Sequence, residues 1–248
     1  MWQRRDGIAS FYNAIIGKKF CLWREEEIGR LMIKTVFLDY TGTIVRMAGP
    51  EMEEMVRRIL KGSSIHDPQQ ILAWWFGNLR TMEAEHFLDT YADEETLCMM
   101  LLERAQEEIG LKEDLGQLQQ LNIGLWRNGP VYEDAKIFLD RCPLPVYVLT
   151  NNSVKYVQEN LEKKGLKAAG IISADMARAC KPHKELFLKG LEIAGSEPGQ
   201  TLMIGDSAGD QDGALAAGMQ ALLLDRKGKY AGSGRKVISS LTQALDCL

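Results

Sequence analysis

The sequence predicts an α/β fold: a parallel sheet with helices on both faces, plus an inserted all-helical domain. Three features of its 248 residues carry that reading. Short apolar, β-branched runs recur at 33–38, 146–149, 170–173, 201–204 and 220–224, each the length of one strand. Stretches with helical patterning separate the later runs, as parallel connections require, because a parallel strand is reached only by a crossover. Finally, the long segment 46–129 between the first two runs shows no β pattern and reads as helix throughout.

The first strand, Ile33 to Leu38, is apolar at consecutive positions, as expected where both faces of a strand are covered. It ends at a polar turn, Asp39-Tyr40-Thr41-Gly42-Thr43. In the insert, Met52, Met55, Val56 and Ile59 repeat at helical spacing, as do Ile71, Leu72, Trp75 and Leu79, and then Leu97, Met100, Leu101 and Ile109. Breaks at 61–68, 90–94 and 110–116 divide it into about four helices. Its Met and Trp residues read as bundle core rather than a cofactor box, although Trp74, Trp75, Arg80 and Trp126 are also candidates to line a pocket. Open α/β sheets bind ligands at the C-terminal ends of their strands, so an insert placed there is a candidate cap. The expected division is a discontinuous catalytic core, 32–45 with 130–248, and a cap, 46–129. Helices near 153–164 and 184–194 stop at Gly165 and Gly195, residues suited to a left-handed C-cap.

Residues 1–31 are set apart. Arg4 and Arg5 precede a weakly apolar run that Lys18 and Lys19 break, without the cleavage site of a secretory signal. Arg24-Glu25-Glu26-Glu27 is what a translated purine-rich ribosome-binding site gives, so Met32 is a candidate natural start; a peripheral N-terminal helix is the other reading. A net charge of -4 argues against a nucleic-acid partner, whose backbone needs clustered Lys and Arg. No apolar stretch is long enough to span a bilayer, so no membrane association is expected. The cysteines Cys21, Cys98, Cys142, Cys180 and Cys247 lack the paired spacing of a zinc or disulfide framework, which points to reduced, mostly buried thiols in a cytoplasm.

Four separated features carry chemistry. Asp39 ends a buried strand, where a carboxylate is poised as metal ligand or covalent nucleophile; the plain alternative is an Asp that opens a turn. The strand at 146–149 leads into Thr150, Asn151, Asn152 and Ser153 at a helix start, where free N–H groups and small donors suit an anion, or serve only as N-caps. Lys181, followed by Pro182, can neutralise a carboxylate beside a phosphate, or be a solvated surface lysine. Gly205-Asp206-Ser207-Ala208-Gly209-Asp210 presents two carboxylates from one loop, a donor set for a hard cation such as Mg²⁺, or an Asp-rich turn.

In this order the four resemble the motifs of the haloacid dehalogenase-like (HAD) hydrolase superfamily, from Met32 to about Arg226. Asp39 to Thr43 looks like its first motif, Thr150-Asn151 its second, Lys181-Pro182 its third, and Gly205-Asp206 with Asp210 its fourth. The resemblance implies a Rossmann-like sheet with a C1-type helical cap, and a Mg²⁺-dependent enzyme acting on a small, phosphorylated molecule. It further implies that Asp39 attacks phosphorus to give an aspartyl-phosphate, and that Thr150, Asn151 and Lys181 hold the phosphoryl group. Asp39, Asp206, the Thr41 carbonyl and, at one remove, Asp210 form the metal site, Asp210 acting through metal-bound water or by orienting Lys181. Asp212 competes with Asp210; the spacing to Gly218 favours Asp210.

Thr41 departs from the family pattern, which places an acid–base Asp two residues after the nucleophile. A threonine hydroxyl cannot shuttle protons near neutral pH, which leaves general acid–base catalysis, worth about 10²- to 10⁴-fold, without its usual residue. His66, His86 and Glu85 are the cap residues considered as substitutes. Alternatives are a dehalogenase, which needs no metal; a phosphonatase, which needs a cap lysine where only Lys61 and Lys112 exist; and a HAD-fold binding or regulatory protein with weakened catalysis.

Overall fold

The computed structural model describes residues 32–246 and 248; the expectations for residues 1–31, and for the Cys21 and Cys247 thiols, lie outside them. Six strands form one sheet: β1 (Thr35–Leu38), β2 (Val146–Thr150), β3 (Gly170–Ser173), β4 (Thr201–Gly205), β5 (Gln220–Leu224) and β6 (Val237–Ile238). Their spatial order is β3-β2-β1-β4-β5-β6, and every pairing is parallel. The first five follow the apolar runs of the sequence. The sixth was not anticipated, because two residues are too few to show a period; backbone pairing with Leu223 and Leu224 makes it a strand.

Four helices fill the insert 46–129 after β1: α1 (Pro50–Gly62), α2 (Pro68–Glu85), α3 (Glu94–Glu108) and α4 (Leu115–Asn128). Three have aspartate N-caps, with Asp67, Asp93 and Asp114 accepting from the N–H groups of Gln69, Thr96 and Gln117 at 2.8, 2.7 and 3.0 Å. Each such cap contributes about 1 kcal/mol. The helices share a core of their own, in which Met55, Trp75, Leu79, Leu101, Leu118 and Trp126 are buried. The methionines and tryptophans of this stripe are thus bundle core, while Trp74 is only half-buried and donates to Glu108 at 3.1 Å.

After the insert come α5 (Glu133–Arg141), α6 (Val154–Lys163), α7 (Ala174–Ala177), α8 (Lys184–Ala194), α9 (Ala208–Ala216) and α10 (Leu241–Leu245). Side-chain alternation along the strands explains why helices cover both faces. Val36, Leu38, Val148 and Ile204 pack with Phe138 of α5, Leu161 of α6 and Leu241 of α10. On the other face Phe37, Leu149 and Met203 pack with Leu186 and Phe187 of α8 and Ala214 of α9. No helix among the described residues is long and apolar enough to cross a membrane. Cys98 and Cys180 are buried thiols and Cys142 is half-buried; none is disulfide-bonded.

The insert rests against the core on two sides. On one, Arg127 of α4 makes a two-pronged contact with Glu159 of α6 at 2.7 and 2.8 Å, and Tyr156 donates to Glu95 at 2.6 Å. On the other, Leu88 N–H donates to the Arg178 carbonyl at 2.7 Å, and Phe87 stacks on His183 with ring centroids 4.2 Å apart. Between these contacts lies the mouth of the sheet.

Candidate active site

Strand β1 stands between β2 and β4, and the direction of travel across the sheet reverses there. Loops leaving the strands on either side of such a point diverge, which opens a crevice at the C-terminal edge. Asp39 follows β1 directly, Thr150 ends β2 and Asp206 follows β4. The ladder still fixes Asp39, whose N–H donates to the Ile204 carbonyl at 2.9 Å.

Two glycines allow the loops to meet. Gly42 turns the chain at φ +93°, and a Cβ on it would lie 2.3 to 2.7 Å from the Asp206 carboxylate. A Cβ on Gly205 would lie 2.4 Å from the carboxyl carbon of Asp210. Both distances are far inside van der Waals contact, so only the bare backbone lets Asp39, Asp206 and Asp210 gather. Their carboxylates offer oxygens within 4.8 Å of one another.

Lys181 reaches this cluster from the loop before α8. Its Nζ lies 2.5 Å from Asp39 Oδ1 and 2.7 Å from Asp210 Oδ1, and all three side chains are nearly sealed from solvent. The other carboxylate oxygen of Asp210, Oδ2, accepts from Ser207 N–H at 3.0 Å and Ser207 Oγ at 2.6 Å, in the capping box that starts α9. The helix start thereby fixes Asp210, and Asp210 in turn orients the ammonium. Asp212 instead pairs with Arg235 at 2.6 Å and is largely exposed.

Burial raises the Asp39 carboxyl to about 6 even though Lys181 beside it pulls downward; the Asp210 charge adds to the rise. Burial likewise raises Asp206 to about 7, with Asp39 and Asp210 adding to it. Burial alone would lower Lys181, but Asp210 and Asp39 outweigh it and hold the ammonium above its ordinary value. One ammonium faces three carboxylates, so the site is short of positive charge. Asp39 Oδ2 is buried with no hydrogen-bond partner among the described residues. An all-oxygen donor set with an unpartnered carboxylate oxygen and unbalanced negative charge fits Mg²⁺.

The second loop is held by hydrogen bonds of its own side chains and by two with the insert. Thr150 Oγ1 donates to Asn152 Oδ1 at 3.1 Å and accepts from Asn152 N–H at 3.0 Å. Thr41 Oγ1 also donates to Asn152 Oδ1, at 2.8 Å, so the hydroxyl at the family's acid position serves to hold an amide. Asn151 Oδ1 accepts from Lys181 N–H at 2.8 Å, and its Nδ2 donates to Glu83 at 2.7 Å. Asn152 Nδ2 donates to Glu94. Glu83, at the end of α2, and Glu94, at the start of α3, are thus brought from the insert onto the second loop.

Neither glutamate was among the sequence-based candidates. A signal existed for both: Ile71, Trp75, Leu79 and Glu83 are spaced by four, so Glu83 continues the buried stripe of α2, and Glu94 shares a face with Leu97, Cys98 and Leu101. The substitutes the sequence offers stand elsewhere. His66 and Glu85 are exposed, and His86 Nδ1 lies 2.9 Å from the carbonyl of Met82 in its own helix. Lys61 and Lys112 are exposed, as is Arg80.

The family model for haloacid dehalogenase-like hydrolases matches residues 33–218. A phosphatase of Mycobacterium tuberculosis, MT3486, is 29% identical over 226 residues, covering 87% of this chain and 98% of its own length. Enolase-phosphatase E1 of Lachancea thermotolerans is 29% identical over 128 residues, which are 45% of this chain and 58% of that protein. Among solved structures, the L-2-haloacid dehalogenase of Xanthobacter autotrophicus superposes with a TM-score of 0.71 at 21% identity, covering 86% and 97% of the two chains. YfnB of Bacillus subtilis, a magnesium-bound HAD-type hydrolase, gives 0.68 at 20% identity with the same coverage. At that identity the structures speak for the fold alone.

Proposed function

Because the chain belongs to the haloacid dehalogenase-like hydrolases, we propose that it is a magnesium-dependent phosphatase of small phosphorylated molecules, working through an aspartyl-phosphate on Asp39. The observation that carries this reading is the buried group of Asp39, Asp206 and Asp210 around Lys181. A phosphoryl group arriving there brings more negative charge to a site already rich in it, and only a cation opposite the ammonium makes the encounter favourable. The near full-length similarity to a protein described as a phosphatase supports the same substrate class.

In this reading Asp39, Asp206 and the Thr41 carbonyl hold Mg²⁺, with Asp210 beside them. When bound, Mg²⁺ supplies positive charge that stabilises the transferring phosphoryl oxygens. Lys181, 2.5 Å from Asp39 Oδ1, balances charge beside the nucleophilic carboxylate. Asp210 positions Lys181, and Thr150 with Asn151 lines the phosphoryl pocket. The helical insert acts as a cap, since its contacts on both sides of the mouth close the crevice over the substrate and exclude water. A carbon–halogen substrate would use none of the extra carboxylates, and a Schiff-base mechanism lacks a buried lysine in the insert.

The test is turnover of aryl phosphates and a panel of phosphorylated metabolites with Mg²⁺. Hydrolysis lost in Asp39→Asn supports the proposal. Halide release from 2-haloacids without Mg²⁺, or metal binding without turnover of any phosphate, contradicts it.

A further inference from the structure

Hydrolysis of an unactivated phosphate ester needs a proton for the departing alkoxide and, in the second step, a base for water. The groups in the core are already committed. Asp39 is the proposed nucleophile, Asp206 and Asp210 belong to the carboxylate cluster, Lys181 is locked between two carboxylates, and Thr41 donates to Asn152. In phosphoryl transfer the attacking and leaving oxygens lie roughly in line, so the leaving group faces away from Asp39, toward whatever covers the site. What covers it is the insert, which lowers two carboxyl groups onto adjacent residues of the second loop: Glu83 on Asn151 and Glu94 on Asn152.

We infer that the insert supplies the acid–base group, with Glu83 donating the proton to the leaving oxygen and Glu94, held on the next residue of the same loop, sharing that proton. The inference rests on the phosphatase reading and deepens it. Glu83 is 8% exposed, and burial acts on the carboxyls of both glutamates where the insert meets the second loop. The charges facing Glu83 are Arg80 on its own helix, Glu94 from α3, and Lys181 and Asp210 from the core. Burial raises Glu83 to about 7, against the pull of Asn151, Lys181 and Arg80. Glu94 is also raised, by burial first and then by the charge of Glu83. Two neighbouring carboxyls that both resist ionisation hold at least one proton near neutral pH.

The steps balance. Asp39 oxygen bonds to phosphorus as the phosphorus–oxygen bond to the alcohol breaks; the electron pair goes to the alcohol oxygen, which takes the Glu83 proton. Water then attacks phosphorus and gives a proton to the Glu83 carboxylate. The bond to Asp39 breaks with its electron pair returning to the carboxylate, and phosphate leaves with Glu83 reprotonated.

The experiment compares kcat/KM of wild type, Glu83→Gln and Glu83→Asp on p-nitrophenyl phosphate, whose leaving group needs little protonation, and on an alkyl phosphate such as glycerol phosphate. Glu83→Gln should lose about 10²- to 10⁴-fold on the alkyl ester and only a few-fold on the aryl ester, with Glu83→Asp recovering part of the loss. Phosphorylated Asp39 should accumulate in Glu83→Gln, because water also lacks its base. Glu94→Gln should shift the same contrast in the same direction, less strongly, and provides the test should Glu83→Gln not fold. Equal losses on both esters, no loss on either, or a KM rise confined to ammonium-bearing substrates would overturn the assignment. Wild type inactive on every phosphate would overturn the phosphatase reading itself, and this inference with it.

Discussion

Glu83→Gln tests the environment of the insert carboxyls without any assay of catalysis. The side chain keeps its size and keeps an oxygen for the Asn151 Nδ2 donor that now lies 2.7 Å from Glu83. What it loses is the ionisation. The Glu83 carboxyl is raised from 4.5 to about 7 by burial, so the fold favours its protonated form. That contribution is fully present below the unfolded value and disappears as pH rises through the folded one. The span corresponds to roughly 3 kcal/mol in total, of which about 2 kcal/mol falls between about pH 5.5 and about pH 8. Gln carries no such dependence, so Glu83→Gln should gain about 2 kcal/mol on wild type across that interval, read from urea denaturation at each pH. Apart from Glu94, which the Glu83 charge also raises, the remaining titrating groups are common to both proteins and largely cancel. Parallel stability profiles, with a difference constant to within about 0.5 kcal/mol, would show that the interface does not desolvate Glu83 and would remove its claim to a raised proton affinity.

Other substitutions probe the rest of the site. Lys181→Met strands two buried carboxylates and should cost about 3–5 kcal/mol of stability at pH 8, less in acid; a loss below about 1 kcal/mol would mean the ammonium is not the counter-charge described. Gly42→Ala places a methyl within 2.3 to 2.7 Å of the Asp206 carboxylate at φ +93°, so it should raise the Mg²⁺ concentration needed for half-maximal activity at least tenfold while the secondary structure by circular dichroism stays intact. Thr41→Asp should not speed alkyl phosphate hydrolysis in the wild type, where Glu83 already acts, but should restore part of the activity lost in Glu83→Gln. A gain in the wild-type background would show the acid to be missing. For the alkyl ester, kcat/KM should fall as pH rises through about 7, where Glu83 ionises, and Glu83→Gln should flatten that limb.

Much of this arrangement was legible in the sequence because the core elements are under local constraints. The strands are buried on both faces and therefore apolar at consecutive positions, the helices stop at Gly165 and Gly195, with φ of +66° and +58°, and the carboxylates sit where strands end. Strand β6 escaped because two residues carry no period. Glu83 and Glu94 escaped for a different reason. At the end of one helix and the start of the next, each reads as ordinary surface charge, Glu94 even as a favourable first-turn acid. Contacts 68 and 58 residues away in the chain convert them into buried groups. Glu85, which the sequence did offer, is two residues from Glu83, and on a helix that is a rotation of roughly 200°, onto the solvent side. His66 precedes the opposite end of α2, whose first residue, Pro68, is about 22 Å from Glu83 along the axis. A local pattern can reveal the buried stripe of a helix but not which surface that stripe will cover.

The central claim is that Asp39 carries a phosphoryl group during turnover, and identifying the adduct on that residue tests it most directly. Enzyme mixed with Mg²⁺ and an aryl phosphate, quenched in acid within the first turnovers and digested, should yield the peptide containing Asp39 with one phosphoryl group on the aspartate, lost on hydroxylamine treatment and absent in Asp39→Asn. An unmodified Asp39 during steady turnover, or a carboxyalkyl ester on it after exposure to a 2-haloacid with halide released, would contradict the account.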